Sequence, residues 1–144
     1  MILMSETVNA TAPAAPAKPK RPKPKSMIML GEQSAALMEN ARLAKERGEM
    51  VGWSTSIFPQ EIAESLGLNI LYPENFSAGI AARKQADPYL QMCEGPLEYN
   101  NDLCSYAKIN LAYAEAMHEG GTMAMPDFLC VTNNICNQGT KWFE

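Results

Sequence analysis

Apolar and polar positions recur in two rhythms along residues 34–144. Over residues 34–49 the period is helical. Ala35, Leu37, Met38, Ala41 and Ala44 form one stripe, while Glu39, Arg42, Lys45 and Glu46 fall on the other side. Gly48 supplies a stop. Residues 50–55 are a short, largely apolar run and predict a buried strand. Pro59 opens a second helix that ends at Gly67, with Ser56 upstream as a candidate cap. Residues 68–72 predict a second strand, closed by Pro73. Helices are then expected over 76–84 and 105–117, with an irregular stretch at 87–101 between them. A third strand is expected over 127–132 and a last helix over 135–144.

Strands that alternate with helices predict an α/β fold, a Rossmann-like parallel sheet flanked by helices. In such sheets ligands gather beyond the C-terminal ends of the strands. The segments that follow the three strands are Ser54-Thr55-Ser56, Pro73-Glu74-Asn75 and Asn133-Asn134-Ile135-Cys136. They are expected to converge on one edge, as a single site containing Ser56, Glu74 and Cys136.

Composition changes the picture at the N-terminus. Five prolines and five basic residues crowd into residues 11–25, with alanine filling most of the rest. Such a stretch buries no apolar surface, so residues 1–26 are expected to be a disordered arm and 27–144 the folding part. Charge divides in the same way. Residues 1–25 carry five basic groups and one acid; the remainder carries seven basic and fifteen acidic groups. An acidic body argues against nucleic acid as a partner. No secretory signal and no membrane-length apolar run is visible, so a cytoplasmic protein is expected. Four cysteines without a signal fit a reducing compartment, where ligand or catalytic roles outrank disulfides.

Two of those cysteines have unusual neighbours. Cys104 follows Asn101-Asp102-Leu103, and Cys136 stands in Asn133-Asn134-Ile135-Cys136-Asn137. A structural cysteine behaves as a small hydrophobe among apolar residues. A cysteine in polar, turn-forming sequence reads as a ligand or a reactive thiol. There is no C-x-x-C pair to suggest a zinc ribbon, and the spacing of the four matches no local cluster signature. Cys130 is expected in the core, and Cys93, in a loop, could serve either way. On generic grounds Ser56 reads first as a helix cap, and Glu74 as a solvated carboxylate or the first-turn acid of the next helix. His118 is expected to be exposed. No phosphate-binding glycine loop and no nucleophile elbow is present.

Several ordered blocks carry a resemblance. They are Lys45-Glu46-Arg47-Gly48-Glu49 with Gly52-Trp53, Ser56-Ile57-Phe58-Pro59-Gln60-Glu61-Ile62, and Tyr72-Pro73-Glu74-Asn75. Next come Asp102-Leu103-Cys104-Ser105-Tyr106-Ala107, Met125-Pro126-Asp127-Phe128, Asn133-Asn134-Ile135-Cys136-Asn137 and Lys141-Trp142-Phe143-Glu144. In order and spacing the chain resembles the 2-hydroxyacyl-CoA dehydratase family, which includes benzoyl-CoA reductase subunits. It looks most like the N-terminal part of a catalytic subunit of the phenyllactoyl-CoA dehydratase type.

The resemblance implies a [4Fe-4S] cluster held by three cysteines. Two match Cys104 and Cys136; the third is expected beyond residue 144. It implies that Ser56 and Glu74 lie beside an open iron of that cluster. The implied reaction is reversible loss of water from an (R)-2-hydroxyacyl-CoA to give an enoyl-CoA. One electron converts the thioester carbonyl to a ketyl radical anion, which expels the neighbouring hydroxyl and acidifies the 3-proton. The implied partners are an acyl-CoA substrate, a sister subunit and an ATP-dependent iron–sulfur activator; a membrane is not among them. Two alternatives stay open. One is benzoyl-CoA-type ring reduction. The other is a truncated, non-catalytic remnant that only docks on the sister subunit.

Overall fold

A computed structural model describes residues 22–134 and 136–143. Three strands, β1 (Val51–Ser54), β2 (Asn69–Leu71) and β3 (Phe128–Cys130), form one sheet in the order β2-β1-β3. Both pairings are parallel. Gly52 stands opposite Ile70 on one side and Phe128 on the other. The helices are α1 (Lys25–Glu46), α2 (Gln60–Ser65), α3 (Pro73–Ala82), α4 (Asp87–Glu94), α5 (Ser105–Ala112) and α6 (Asn137–Lys141). A π-helical turn, Tyr113–Met117, extends α5. The parallel α/β architecture is the one the sequence predicts.

All four residues of β1 are buried, as a central parallel strand requires. On one face Val51 and Trp53 join Ala41 and Ala44 of α1, Phe76 and Ile80 of α3, and Ile109 of α5 in a single core. The Phe76 and Tyr113 rings meet edge to face with centroids 4.8 Å apart. Polar ends of the aromatic residues are satisfied: Trp53 Nε1 donates to the Ala124 carbonyl at 2.8 Å, and Tyr113 Oη donates to that of Met123 at 2.5 Å. On the other face Gly52 lies beneath the Phe128 ring. A Cβ there would run into that ring and stand 2.8 Å from Ile70 Cδ1. Gly52→Ala is therefore expected to destabilise the fold by about 1–3 kcal/mol, the usual cost of overpacking. A urea titration that leaves the midpoint unchanged would contradict this packing.

The opposite, N-terminal edge of the sheet is tied by Asp127. Its carboxylate pairs with Lys45 at the end of α1 and accepts the Val51 N–H at 2.8 Å, while its own N–H donates to the Val51 carbonyl at 2.7 Å. The Lys45 ammonium first, and then the Val51 N–H, hold this carboxyl below its ordinary value of 3.8. The unfolded chain therefore binds the proton more readily than the folded one. The stabilisation is complete above about pH 4 and is lost as pH falls through the lower folded value. Asp127→Asn is expected to melt below the parent near neutral pH. The two melting temperatures should converge as pH falls below the folded value, where Asp127 is protonated.

Several boundaries differ from expectation. Residues 1–21 of the expected arm lie outside the described residues, but α1 begins at Lys25 and not at Ser34. Its first half, including Met27, Ile28, Met29 and Leu30, is exposed. The apolar stripe marks only the half that meets the sheet. Residues 87–94, expected to be irregular, form α4, with Asp87 and Pro88 in its first turn, a place where proline starts a helix. Residues 135 and 144, the ends of the expected last helix, lie outside the described residues; α6 covers Asn137–Lys141.

Candidate functional site

Because all three strands run parallel, their C-terminal ends share one edge. Thr55 and Ser56 follow β1, Pro73-Glu74-Asn75 opens the helix after β2, and Thr132 to Cys136 follows β3. A cavity of about 120 Å³ lies at this edge, and Glu74, Cys104 and Cys136 all line it. Thr55, Tyr106, Thr132, Gln138, Gly139 and Trp142 complete its wall.

Pro73 and Glu74 occupy the first turn of α3. Proline suits that position because its missing N–H has no helical partner there. It caps the end of β2 and sets Glu74, half-buried, at the cavity. One turn on, Ser77 is fully buried and donates to the Tyr106 carbonyl at 2.9 Å, which fastens α3 to α5. Cys104 is the N-terminal cap residue of α5 and its thiol is exposed. The polar run before it is a turn: the Asp102 N–H donates to Asn100 Oδ1 at 2.9 Å. Lys108, buried one turn into α5, pairs with Glu94 and donates to the Asn101 carbonyl at 3.2 Å, which fixes the approach to Cys104.

Cys136 stands at the N-cap position of α6 and, unlike Cys104, caps it with its side chain. Its Sγ accepts the Gly139 N–H at 3.4 Å, and its thiol is exposed. Trp142 closes the wall, its Nε1 donating to Oδ1 of the buried Asn110 at 2.9 Å. Both polar cysteines thus stand at helix starts and face one cavity.

Ser56 is not among the lining residues. It is half-buried, and its Oγ meets Asn75 Oδ1 at 3.4 Å, which puts it beside the Glu74 turn. It caps nothing: Pro59 precedes α2, and no side chain caps that helix. Cys93 is on α4 and fully buried, not in a loop; burial first of all pushes its thiol up, as befits a core residue. Cys130, expected in the core, is half-buried in β3. His118, expected to be exposed, is half-buried, and its Nδ1 has no hydrogen-bond partner among the described residues.

Thr55, Thr132, Tyr106 and Trp142 were not singled out from sequence. The strand-end rule applied to every residue of those segments would have found Thr55; Thr132 falls within the expected third strand, which ends two residues earlier, at Cys130. A wider groove of about 670 Å³ runs between α1 and α3, past Met38, Arg42 and Arg83, and reaches Asn75. Among the described residues, no three His, Cys, Asp or Glu side chains are close enough to hold a metal ion. None of the described helices is long and apolar enough to cross a membrane.

A parallel α/β unit with two thiols and a carboxylate around a cavity at its C-terminal sheet edge is the class that fold and geometry define. Residues 55–144 match the family described as 2-hydroxyglutaryl-CoA dehydratase, D-component, and the chain belongs to that family. It is 46% identical over 128 residues to the alpha subunit of (R)-2-hydroxyisocaproyl-CoA dehydratase of Clostridioides difficile; this covers 85% of the chain and 30% of the relative. It is 49% identical over 102 residues to the (R)-phenyllactyl-CoA dehydratase alpha subunit of Clostridium sporogenes, covering 70% and 25%. With the alpha subunit of (R)-2-hydroxyglutaryl-CoA dehydratase of Acidaminococcus fermentans it shares 52% over 82 residues, covering 57% and 17%. The chain thus spans less than a third of the length of these relatives.

Proposed function

We propose that the chain is the N-terminal part of a 2-hydroxyacyl-CoA dehydratase alpha subunit, a hydro-lyase that removes water from an (R)-2-hydroxyacyl-CoA. The observation that carries this reading is the single cavity lined by Glu74, Cys104 and Cys136. Thiolates are the donor type that iron–sulfur clusters take, and both thiols are exposed at the cavity. The donor set fits a cluster in kind, and two thiolates leave it one short of three. Cys104 and Cys136 would hold a [4Fe-4S] cluster, with a further thiolate supplied from outside residues 1–144. When bound, the cluster supplies one-electron transfer and a Lewis-acid iron.

The remaining work falls to side chains. The 3-proton of a saturated acyl thioester is not acidic, and hydroxide is a poor leaving group. Glu74, at the cavity wall, would carry a proton to the departing hydroxyl or take one from the substrate. Ser56, freed from its long bond to Asn75, would donate its hydroxyl to a substrate oxygen. Tyr106 and Trp142 give the wall an aromatic surface against which an acyl chain packs and water is kept out. The names of the relatives as alpha subunits support a sister subunit as partner. An ATP-dependent iron–sulfur activator would supply the electron, and the cytoplasm would house the enzyme.

The relatives' names favour dehydration over ring reduction. The test is an anaerobic assay of the assembled enzyme with activator and ATP, offering a 2-hydroxyacyl-CoA and benzoyl-CoA in parallel. Enoyl-CoA formation is the expected result. Reduction of benzoyl-CoA with no dehydration would overturn the reading in favour of the ring-reducing alternative.

A further inference from the structure

We propose that Thr55 is a positioning residue. Its hydroxyl braces the loop that carries Cys136 where that loop leaves the sheet, and so sets the thiol which the proposed function assigns to the cluster. The inference rests on that reading for its purpose, but its geometry stands independently of it.

The ladder between β1 and β3 ends at Ser54 opposite Cys130. Beyond it the chain leaves β3, and the Thr132 N–H loses a strand partner. The Thr55 hydroxyl takes the place of that partner. Its Oγ1 accepts the Thr132 N–H at 3.2 Å and lies 2.8 Å from Thr132 Oγ1. The bond is shielded, because Thr55 is only 7% exposed although it lines the cavity.

The far end of the loop lies nearby: a Cβ placed on Gly139 would stand 4.0 Å from Thr55 Cγ2 and 3.8 Å from Cys136 Sγ. Gly139 is the residue whose N–H donates to that sulfur. The Thr55 hydroxyl therefore holds the loop where it leaves the sheet. Serine keeps this hydroxyl and valine removes it. Cys104, which caps α5 on a separate segment, is independent of this brace.

The test compares Thr55→Val and Thr55→Ser with the parent in the complete chain. Amide hydrogen exchange is measured on cluster-free protein, and iron retention against a chelator on reconstituted protein. Thr55→Val is expected to speed exchange at the Thr132 amide about 5- to 10-fold, the effect of losing a shielded hydrogen bond, and to shorten iron retention. Thr55→Ser, which keeps the hydroxyl, should keep Thr132 protected and iron retention near the parent. If Thr55→Val does not fold, Thr132→Val removes the hydroxyl partner from the loop side, and a smaller change in the same direction is expected. Unchanged exchange at the Thr132 amide in Thr55→Val overturns the inference, as does raised exchange with parental iron retention. Failure of the cluster reading is separately visible. In that case Cys136→Ala would retain iron like the parent, whatever Thr55→Val does to exchange.

Discussion

Cys104→Ala in the assembled enzyme is expected to release its iron, and Cys136→Ala is expected to do the same. Each thiol is exposed at the wall of the cavity, and each stands where no hydrophobic packing explains it. Loss of outer contacts alone changes metal affinity by about 10–100-fold, so loss of a ligand should exceed that range. Folding should survive, since neither side chain belongs to the core built from Val51, Trp53, Phe76 and Tyr113. Cys93 and Cys130 provide the control. Cys93 is sealed on α4 and Cys130 sits within β3, so alanine at either should leave the iron content unchanged. Iron and sulfide analysis after anaerobic reconstitution reads all four variants. Equal iron in Cys104→Ala and the parent would remove Cys104 from the ligand set.

Glu74→Gln is expected to cut kcat by about 10²–10⁴-fold, the range over which a positioned proton-transfer group contributes. The amide keeps the shape of the carboxylate but carries no exchangeable acid. KM and iron content should stay close to the parent, because Glu74 stands in the first turn of α3 and the fold is held by Phe76, Ser77 and Ile80 behind it. Pre-steady-state assays with a 2-hydroxyacyl-CoA would separate this loss from weakened binding. Unchanged turnover would strip Glu74 of its proton-transfer role and leave it as a solvated first-turn acid.

The blocks that carry the family resemblance divide between two edges of the sheet, and the structure gives each half a different reason. At the N-terminal edge, Lys45 and Asp127 form the tether between α1 and the strand starts. Gly52 is small because Phe128 covers it. These residues hold the sheet. At the C-terminal edge, Glu74, Cys104 and Cys136 meet at one cavity, and Ser56 stands beside it against Asn75. Parallel strand direction was legible from the alternation of strand and helix, and it alone brings Glu74 and Cys136 together. Cys104 follows no strand. Its place at the cavity depends on the Ser77 bond to Tyr106, which joins segments far apart in sequence, and on the nearer bond from Lys108 to Asn101.

What the sequence hid has the same origin. The first half of α1 carries Met27 to Leu30 as a continuous apolar run and not as a helical stripe, and these side chains are exposed. The two turns of α4 are too short for periodicity to register. Cys93, in an expected loop, could serve either way; its burial comes from the packing of α4 on α5, which only the folded chain reveals. The pairing of Thr55 with Thr132 joins residues that follow different strands, and no local pattern encodes it.

If Cys104 and Cys136 are cluster ligands, the cavity they line is one side of an iron–sulfur site. Anaerobic reconstitution of the complete subunit with iron and sulfide, followed by iron counting and Mössbauer spectroscopy, is the decisive measurement. A brown protein with one [4Fe-4S] cluster per subunit is expected, with the cluster absent when Cys104 and Cys136 are both alanine. A folded subunit that stays colourless and iron-free with all its thiols reduced, or one whose cluster persists in the double variant, would contradict it.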